Sequence, residues 1–92
     1  MEIKSIQNNK LIIGELYELQ TSLLVRRYSE NWSIFSQNKT FTLNEQSVVL
    51  YVKPCAFRGA SYPLFLYNND ILIPRWELNI PSITSLFKRV SI

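Results

Sequence analysis

The chain has 92 residues, of which 47% are hydrophobic and 13% aromatic, and its ten basic and seven acidic side chains give a net charge of +3. This length predicts a single domain, residues 1–92, and the apolar content excludes a disordered chain. The absence of His and the presence of only one Cys exclude Ser-His and Cys-His nucleophile pairs, the usual zinc sites and an intrachain disulfide.

The first half of the chain contains short β-rich runs separated by turn residues. Residues 2–7 predict a strand, and residues 11–20 alternate so that Tyr17 and Leu19 share one face. Residues 22–29, 32–37 and 40–43 are also β-rich, with Asn, Ser and Glu between them. These patterns predict an all-β, mainly antiparallel domain.

The second half contains the clearest single strand. Residues 47–53 read Ser-Val-Val-Leu-Tyr-Val-Lys, and Pro54 is expected to end the strand. Residues 55–61, which include Gly59, predict a loop. Residues 62–78 then predict a hairpin with a two-residue turn at Asn68 and Asn69, because Asn tolerates the positive φ that such turns require.

The hairpin turn fixes an expected register for the two strands. It pairs Leu66 with Ile71 and Leu64 with Ile73 on an aliphatic face. The opposite face carries Phe65 and is expected to be aromatic. We predict that the aliphatic face is the interior of the domain, which leaves the aromatic face to be explained.

The C-terminal segment fits two structures. Ile83, Leu86, Phe87 and Val90 have the spacing of one helical face, which favours a short docked helix. The same segment also alternates from Leu86 to Ile92, as a closing strand would.

The order of these segments resembles an SH3-like small barrel over residues 14–80. Leu16-Tyr17-Glu18-Leu19 resembles the Leu-Tyr-Asp-Tyr opening of that family, and residues 71–74, Ile-Leu-Ile-Pro, resemble its Gly-Leu-Phe-Pro segment, which precedes a short 3₁₀ turn. The long 20–45 segment takes the place of the RT loop. The resemblance implies a peptide groove that includes Tyr17 and Pro74. Tyr62 stands where peptide-binding members have Trp, which argues against recognition of a polyproline helix.

No pattern of catalytic groups is present. Glu15 and Glu18 would point to opposite sides of a strand, and no glycine-rich loop could hold phosphate. We therefore expect a protein that is not an enzyme and uses neither metal nor cofactor. No secretory signal and no membrane-spanning apolar run is found, which predicts a cytoplasmic protein. The Ile, Asn and Lys usage indicates an AT-rich genome, so a small phage or viral accessory protein in the host cytoplasm is expected.

A protein-interaction module is the first functional hypothesis. Its candidate partner-binding residues lie on or beside the aromatic face, where aromatic and Arg side chains are typical of interface hot spots. They are Tyr17, Phe65, Tyr67, Pro74, Arg75 and Trp76. If residues 83–90 cover that face, Trp32 and Phe35 become the candidate anchors.

Nucleic-acid binding is the alternative. Small barrels bind nucleic acid by stacking bases on aromatic rings while cations follow the phosphates. The candidate cations are Arg26, Arg27, Lys53 and Arg58, and together with Arg75 they would have to converge in three dimensions. A second alternative is a structural or assembly subunit that buries its strand edges by homo-oligomerisation.

Overall fold

The described chain forms short antiparallel strands, as expected from the alternation of apolar and polar residues along it. The computed structural model describes residues 11–31, 33, 37–78 and 83–90. Its strands are β1 (Leu16–Leu19), β2 (Leu23–Arg27), β3 (Thr40–Leu43), β4 (Val48–Phe57), β5 (Ala60–Tyr67), β6 (Asp70–Pro74) and β7 (Phe87–Arg89). They form one sheet in the order β3-β2-β6-β5-β4-β1-β7, with every pair antiparallel, which confirms the predicted all-β class.

Two predicted features lie outside the described residues. These are the strand at residues 2–7 and most of the strand at 32–37, including the candidate anchors Trp32 and Phe35.

The sheet curls around one main core. Leu43 and Phe87 come from the two edge strands of the described sheet, β3 and β7, yet both belong to the same buried cluster. Tyr17, Leu19 and Val25 join them from β1 and β2, so the predicted common face of Tyr17 and Leu19 is confirmed. Among the described residues, hydrogen bonds do not close the sheet into a barrel.

Two tight turns connect the central strands β4, β5 and β6. Asn68 and Asn69 have φ values of 53° and 68°, and Arg58 and Gly59 have φ values of 52° and 82°. Two successive residues with positive φ fit the right-handed twist of a two-residue hairpin. The predicted register after Asn68-Asn69 is confirmed, since Leu66 pairs with Ile71.

The prediction that Pro54 ends a strand is wrong. β4 continues to Phe57, and β5 begins at Ala60, so the expected loop at 55–61 is instead the tip of a second hairpin. Pro54 pairs with Pro63 across the two strands. Facing residues of a non-hydrogen-bonded antiparallel pair do not donate to each other, so two prolines can face each other without removing a bond between their strands.

The prediction that the aliphatic face of the β5–β6 hairpin is the interior is also wrong. Phe65 and Leu72 face the main core, where the Phe65 ring lies 5.0 Å from the ring of Phe87. Leu64 and Ile73 form a second, smaller buried cluster on the opposite face of the sheet. The large aromatic ring of Phe65 thus fills the main core, while the aliphatic side chains of Leu64 and Ile73 are buried on the other face of the sheet.

The C-terminal segment is a closing strand rather than the favoured helix. A 3₁₀ turn at Ile83–Leu86 leads directly into β7, which pairs with β1 through Leu19 and Phe87. The strand is selected because Phe87 fills the core beside Tyr17 and Phe65, while Lys88 and Arg89 stay exposed. Within the described residues, no helix is long and apolar enough to cross a membrane.

Candidate ligand-binding groove

The outer face of the sheet carries a small cluster of its own. Strand alternation turns Leu64 of β5 and Ile73 of β6 away from the main core, yet Leu64 is 1% and Ile73 7% exposed. They are buried because partly buried side chains pack against them. The covering residues are Tyr28, Cys55, Phe57, Tyr62 and Ile71.

Tyr28, which follows β2, links this cluster to both β6 and β4. Its backbone N–H donates to the carbonyl of Ile71 at 2.8 Å, which fixes the chain beside β6 after β2 ends. A hydrogen bond with the Cys55 side chain is the largest cause that raises the pKa of the Tyr28 phenol above 10.0. Partial burial and the charges of Cys55 and Glu30 raise it further. The neutral phenol therefore connects β4 to the end of β2 across the sheet face.

An open groove of about 410 Å³ lies beside this outer cluster. Arg26 of β2 projects on the outer face because it alternates with buried Val25, and it pairs with Ile73 of β6 and Thr40 of β3. Arg75 follows directly after β6 and is exposed. The described lining residues are Val25, Arg26, Thr40, Phe57, Tyr62, Ile73, Pro74 and Arg75, a set that includes no carboxylate.

Two aromatic rings and a third arginine meet at the wall of the groove. The rings of Phe57 and Tyr62 lie edge-on, with centroids 6.3 Å apart and an interplanar angle of 66°. The guanidinium carbon of Arg58 lies 5.4 Å from the centroid of Phe57, which is within range of a cation–π interaction. The short Arg58-Gly59 turn thus places a cation directly above a ring that lines the groove.

The predicted nucleic-acid cations divide into two groups. Arg26 lines the groove, and Arg58 stacks on the Phe57 ring in its wall. Lys53 lies on the same face of the sheet because it pairs with Leu64. Arg27 points elsewhere, since its Nε lies 3.4 Å from the Asp70 carboxylate. Arg27 also lines a separate depression of about 340 Å³ next to Asn38 and Lys39.

The predicted partner-binding residues also divide. Tyr17 and Phe65 are 4% and 3% exposed, so both belong to the main core rather than to an exposed aromatic surface. The Tyr17 hydroxyl accepts a 2.7 Å hydrogen bond from the backbone N–H of Ile12. Tyr67 is half-buried and packs against the same core. The aromatic face that the sequence leaves to be explained is therefore part of the main core, where Phe87 contacts the rings of Tyr17 and Phe65.

The remaining three predicted partner-binding residues lie together at the end of β6. Pro74 is buried and lines the groove, and Arg75 lines it from the surface. Trp76 follows and is 40% exposed. The groove therefore combines residues from both predicted sets, Arg26 from one and Pro74 with Arg75 from the other.

Phe57 and Tyr62 are residues of the groove that the sequence patterns do not indicate. The sequence pattern predicts a loop at Phe57, and the family resemblance indicates Tyr62 only as a replacement for Trp. The Arg58-Gly59 dipeptide between β-rich residues fits a two-residue hairpin turn, which places both rings on one face because Phe57 comes directly before the turn and Tyr62 three positions after it.

No protein-family model, curated protein or solved structure matches the chain. Among the described residues, no group of three or more His, Cys, Asp and Glu side chains is placed to hold a metal ion.

Proposed function

We propose that this protein is a non-catalytic binding module whose ligand is an extended anionic chain held in the groove. The observation that carries the proposal is the convergence of Arg26 and Arg75 with the rings of Phe57 and Tyr62 in one open depression. These residues come from β2, β4, β5 and the end of β6, so only the folded sheet brings them together.

The side chains of the groove suit binding through charge and ring contact. The guanidinium group is always charged and offers five donors in a planar fork, which matches carboxylate and phosphate oxygens. Phe57 and Tyr62 add apolar contact area at a small cost in side-chain entropy. An anionic chain that carries flat or apolar groups would therefore use both kinds of side chain.

Charge reversal in the groove tests this proposal. We expect Arg75→Glu to elute from a heparin column at a clearly lower salt concentration than the wild type, because a cation of the groove becomes a carboxylate. Lys88→Glu is the matched control, since it makes the same change in net charge at an exposed side chain of β7. This strand lies at an edge of the described sheet. Heparin serves only as a generic polyanion.

The comparison of the two variants decides the result. A large shift for Arg75→Glu with a small one for Lys88→Glu supports the groove. Equal shifts would show a general charge effect and would overturn the proposal, and so would a wild-type chain that heparin does not retain. Circular dichroism of both variants checks that the fold is unchanged.

We also propose that the architecture is that of an SH3-like barrel. Two features support this assignment: β2 and β3 form a hairpin within the segment that takes the place of the RT loop, and a 3₁₀ turn precedes the last strand. Residues 75–82 separate Ile71–Pro74 from that turn, which is a longer connection than the resemblance implies. An experimental structure with a different strand order would contradict the assignment.

A second candidate function is recognition of a folded protein. It is favoured by Trp76, a large side chain that is 40% exposed directly beside Arg75, since Trp and Arg are the residues most enriched at interface hot spots. A protein captured from nuclease-treated lysate by the wild type, and lost with Trp76→Ala, would support this candidate.

A further inference from the structure

We infer that the anionic chain bound in the groove is single-stranded nucleic acid. This inference rests on the proposed function and specifies its ligand. Three arginines, Arg26, Arg58 and Arg75, surround the two aromatic rings of Phe57 and Tyr62 on one face of the sheet. An acidic peptide and a nucleic acid would both satisfy the arginines, so the rings distinguish between them.

The rings favour a ligand that carries planar groups. Phe57 and Tyr62 are only half-buried, and both line the groove. Every nucleotide carries a base with a π face that can stack on such a ring, whatever its sequence. The carboxylates of an acidic peptide would pair with the guanidinium groups but would offer no flat group to the Phe57 and Tyr62 rings.

The cations are spread along the face rather than gathered at one point. Arg58 lies at the β4–β5 turn, Arg26 and Arg75 lie in the groove, and Lys53 lies beside Leu64 further along β4. Positive charges distributed over one face of the sheet can follow a phosphate backbone. They would suit a single bound carboxylate or phosphate group less well.

The arrangement favours a single strand over a duplex. In a duplex the bases are stacked inside, so their π faces cannot reach side chains on a sheet surface. Unpaired bases can turn toward Phe57 and Tyr62 while their phosphates meet the arginines. We therefore expect binding that tolerates different base sequences and weakens as salt increases.

Fluorescence anisotropy with three probes tests the inference. The probes are a labelled oligothymidylate of about ten nucleotides, which is within the usual range of site sizes for small barrels, a duplex of the same length, and a polyglutamate peptide of similar charge. We expect the wild type to bind the single strand more tightly than the other two. We also expect Arg75→Ala to reduce the slope of log K against log salt by about 0.7, the value for one lost phosphate contact on a single strand.

Tyr62 provides the variant that is specific for stacking. Tyr62→Leu should weaken binding of the single strand about 5- to 150-fold, the range for loss of one stacked base. Tyr62→Phe keeps the ring and should retain the affinity. Because Tyr62 packs in the outer cluster, the melting temperature of both variants is measured first. If Tyr62→Leu is unfolded, the salt slope of Arg75→Ala and the choice among the three probes remain as the test.

Each outcome has a defined meaning. Preference for the single strand, with loss of affinity in Tyr62→Leu alone, supports the inference. Tighter binding of polyglutamate or of the duplex would overturn it but would leave the binding module in place, and so would full affinity in a folded Tyr62→Leu. Binding of none of the probes would overturn both proposals.

Discussion

Arg58 and Gly59 show how strongly single residues determine the site. Both lie in the left-handed region of φ, which Gly adopts freely and which costs a residue with a side chain about 1 kcal/mol or more. Their conformation closes the β4–β5 hairpin tightly enough for the Arg58 guanidinium to lie over the Phe57 ring. The Arg-Gly pair could have been recognised from sequence as a hairpin turn, but the cation–π contact could not, because it depends on side-chain direction.

Because of Tyr51, the free energy of unfolding is expected to decrease at alkaline pH. Burial raises the pKa of the Tyr51 phenol above 10.0, and the nearby Tyr17 raises it further. Between pH 10 and the folded-state pKa, the unfolded chain has already lost the proton that the folded chain keeps. The unfolded state then binds fewer protons, so the free energy of unfolding decreases as the pH rises. The contribution of Tyr51 is therefore fully present below pH 10.

The substitution Tyr51→Phe removes this titrating group. We expect urea unfolding measured from pH 8 upward to show a smaller loss of stability above pH 10 for Tyr51→Phe than for the wild type. The side chains that titrate in both proteins contribute equally to the two curves. Identical curves for the two proteins above pH 10 would contradict the raised pKa of Tyr51.

At the scale of single residues, the sequence predicts which side chains share a face but not which face is buried. Alternation correctly placed Phe65 and Leu72 on one face and Leu66 and Ile71 on the other. It could not tell which face is the interior, because both faces carry apolar side chains and both are partly covered. The pattern therefore predicts Tyr17 and Phe65 as partner-binding aromatics, whereas both are buried in the main core in contact with Phe87.

At the level of elements, the strands were predicted better than their ends. Residues 22–29 and 40–43 were expected to be strands, and they contain β2 and β3, which pair with each other. Pro54 misled the prediction for β4, because a proline normally ends a central strand. Here Pro54 faces Pro63 at a position where the two strands exchange no hydrogen bond, and that pairing follows from a register that only the folded hairpin defines.

The last element, β7, contributes to stability chiefly through Phe87. This side chain is 6% exposed and contacts the rings of Tyr17 and Phe65. We expect Phe87→Ala to lower the free energy of unfolding by about 3–5 kcal/mol, the usual cost of removing a buried phenyl ring. Such a loss is a large part of the total stability of a small domain. Urea denaturation measures it directly.

Lys88→Ala is the control for this substitution. Lys88 lies next to Phe87 in the same strand but is exposed, so its removal should change stability by about 0.5 kcal/mol or less. If Phe87→Ala were as mild as Lys88→Ala, β7 would not form part of the core. The preference of sequence analysis for a docked helix at 83–90 would then need to be reconsidered.

At the level of the whole molecule, the curl of the sheet creates both the core and the groove. β2 pairs with β6, and β1 pairs with β4 and β7, so strands distant in sequence become neighbours. Local patterns predicted the all-β class and most strands, but they contain no information on this order. The meeting of Arg26 with Ile73 and Arg75 could not be foreseen, because it follows from the β2–β6 pairing.

The central claim is that the groove is the surface that binds the ligand. A map of backbone amide chemical shifts, recorded while the oligothymidylate is added to the ¹⁵N-labelled chain, tests it most directly. We expect the largest changes at Arg26, Phe57, Arg58, Tyr62 and Arg75, with little change at Lys88 and Arg89 of β7. The largest changes on β7 or in the depression beside Lys39, or no changes at all, would contradict the claim.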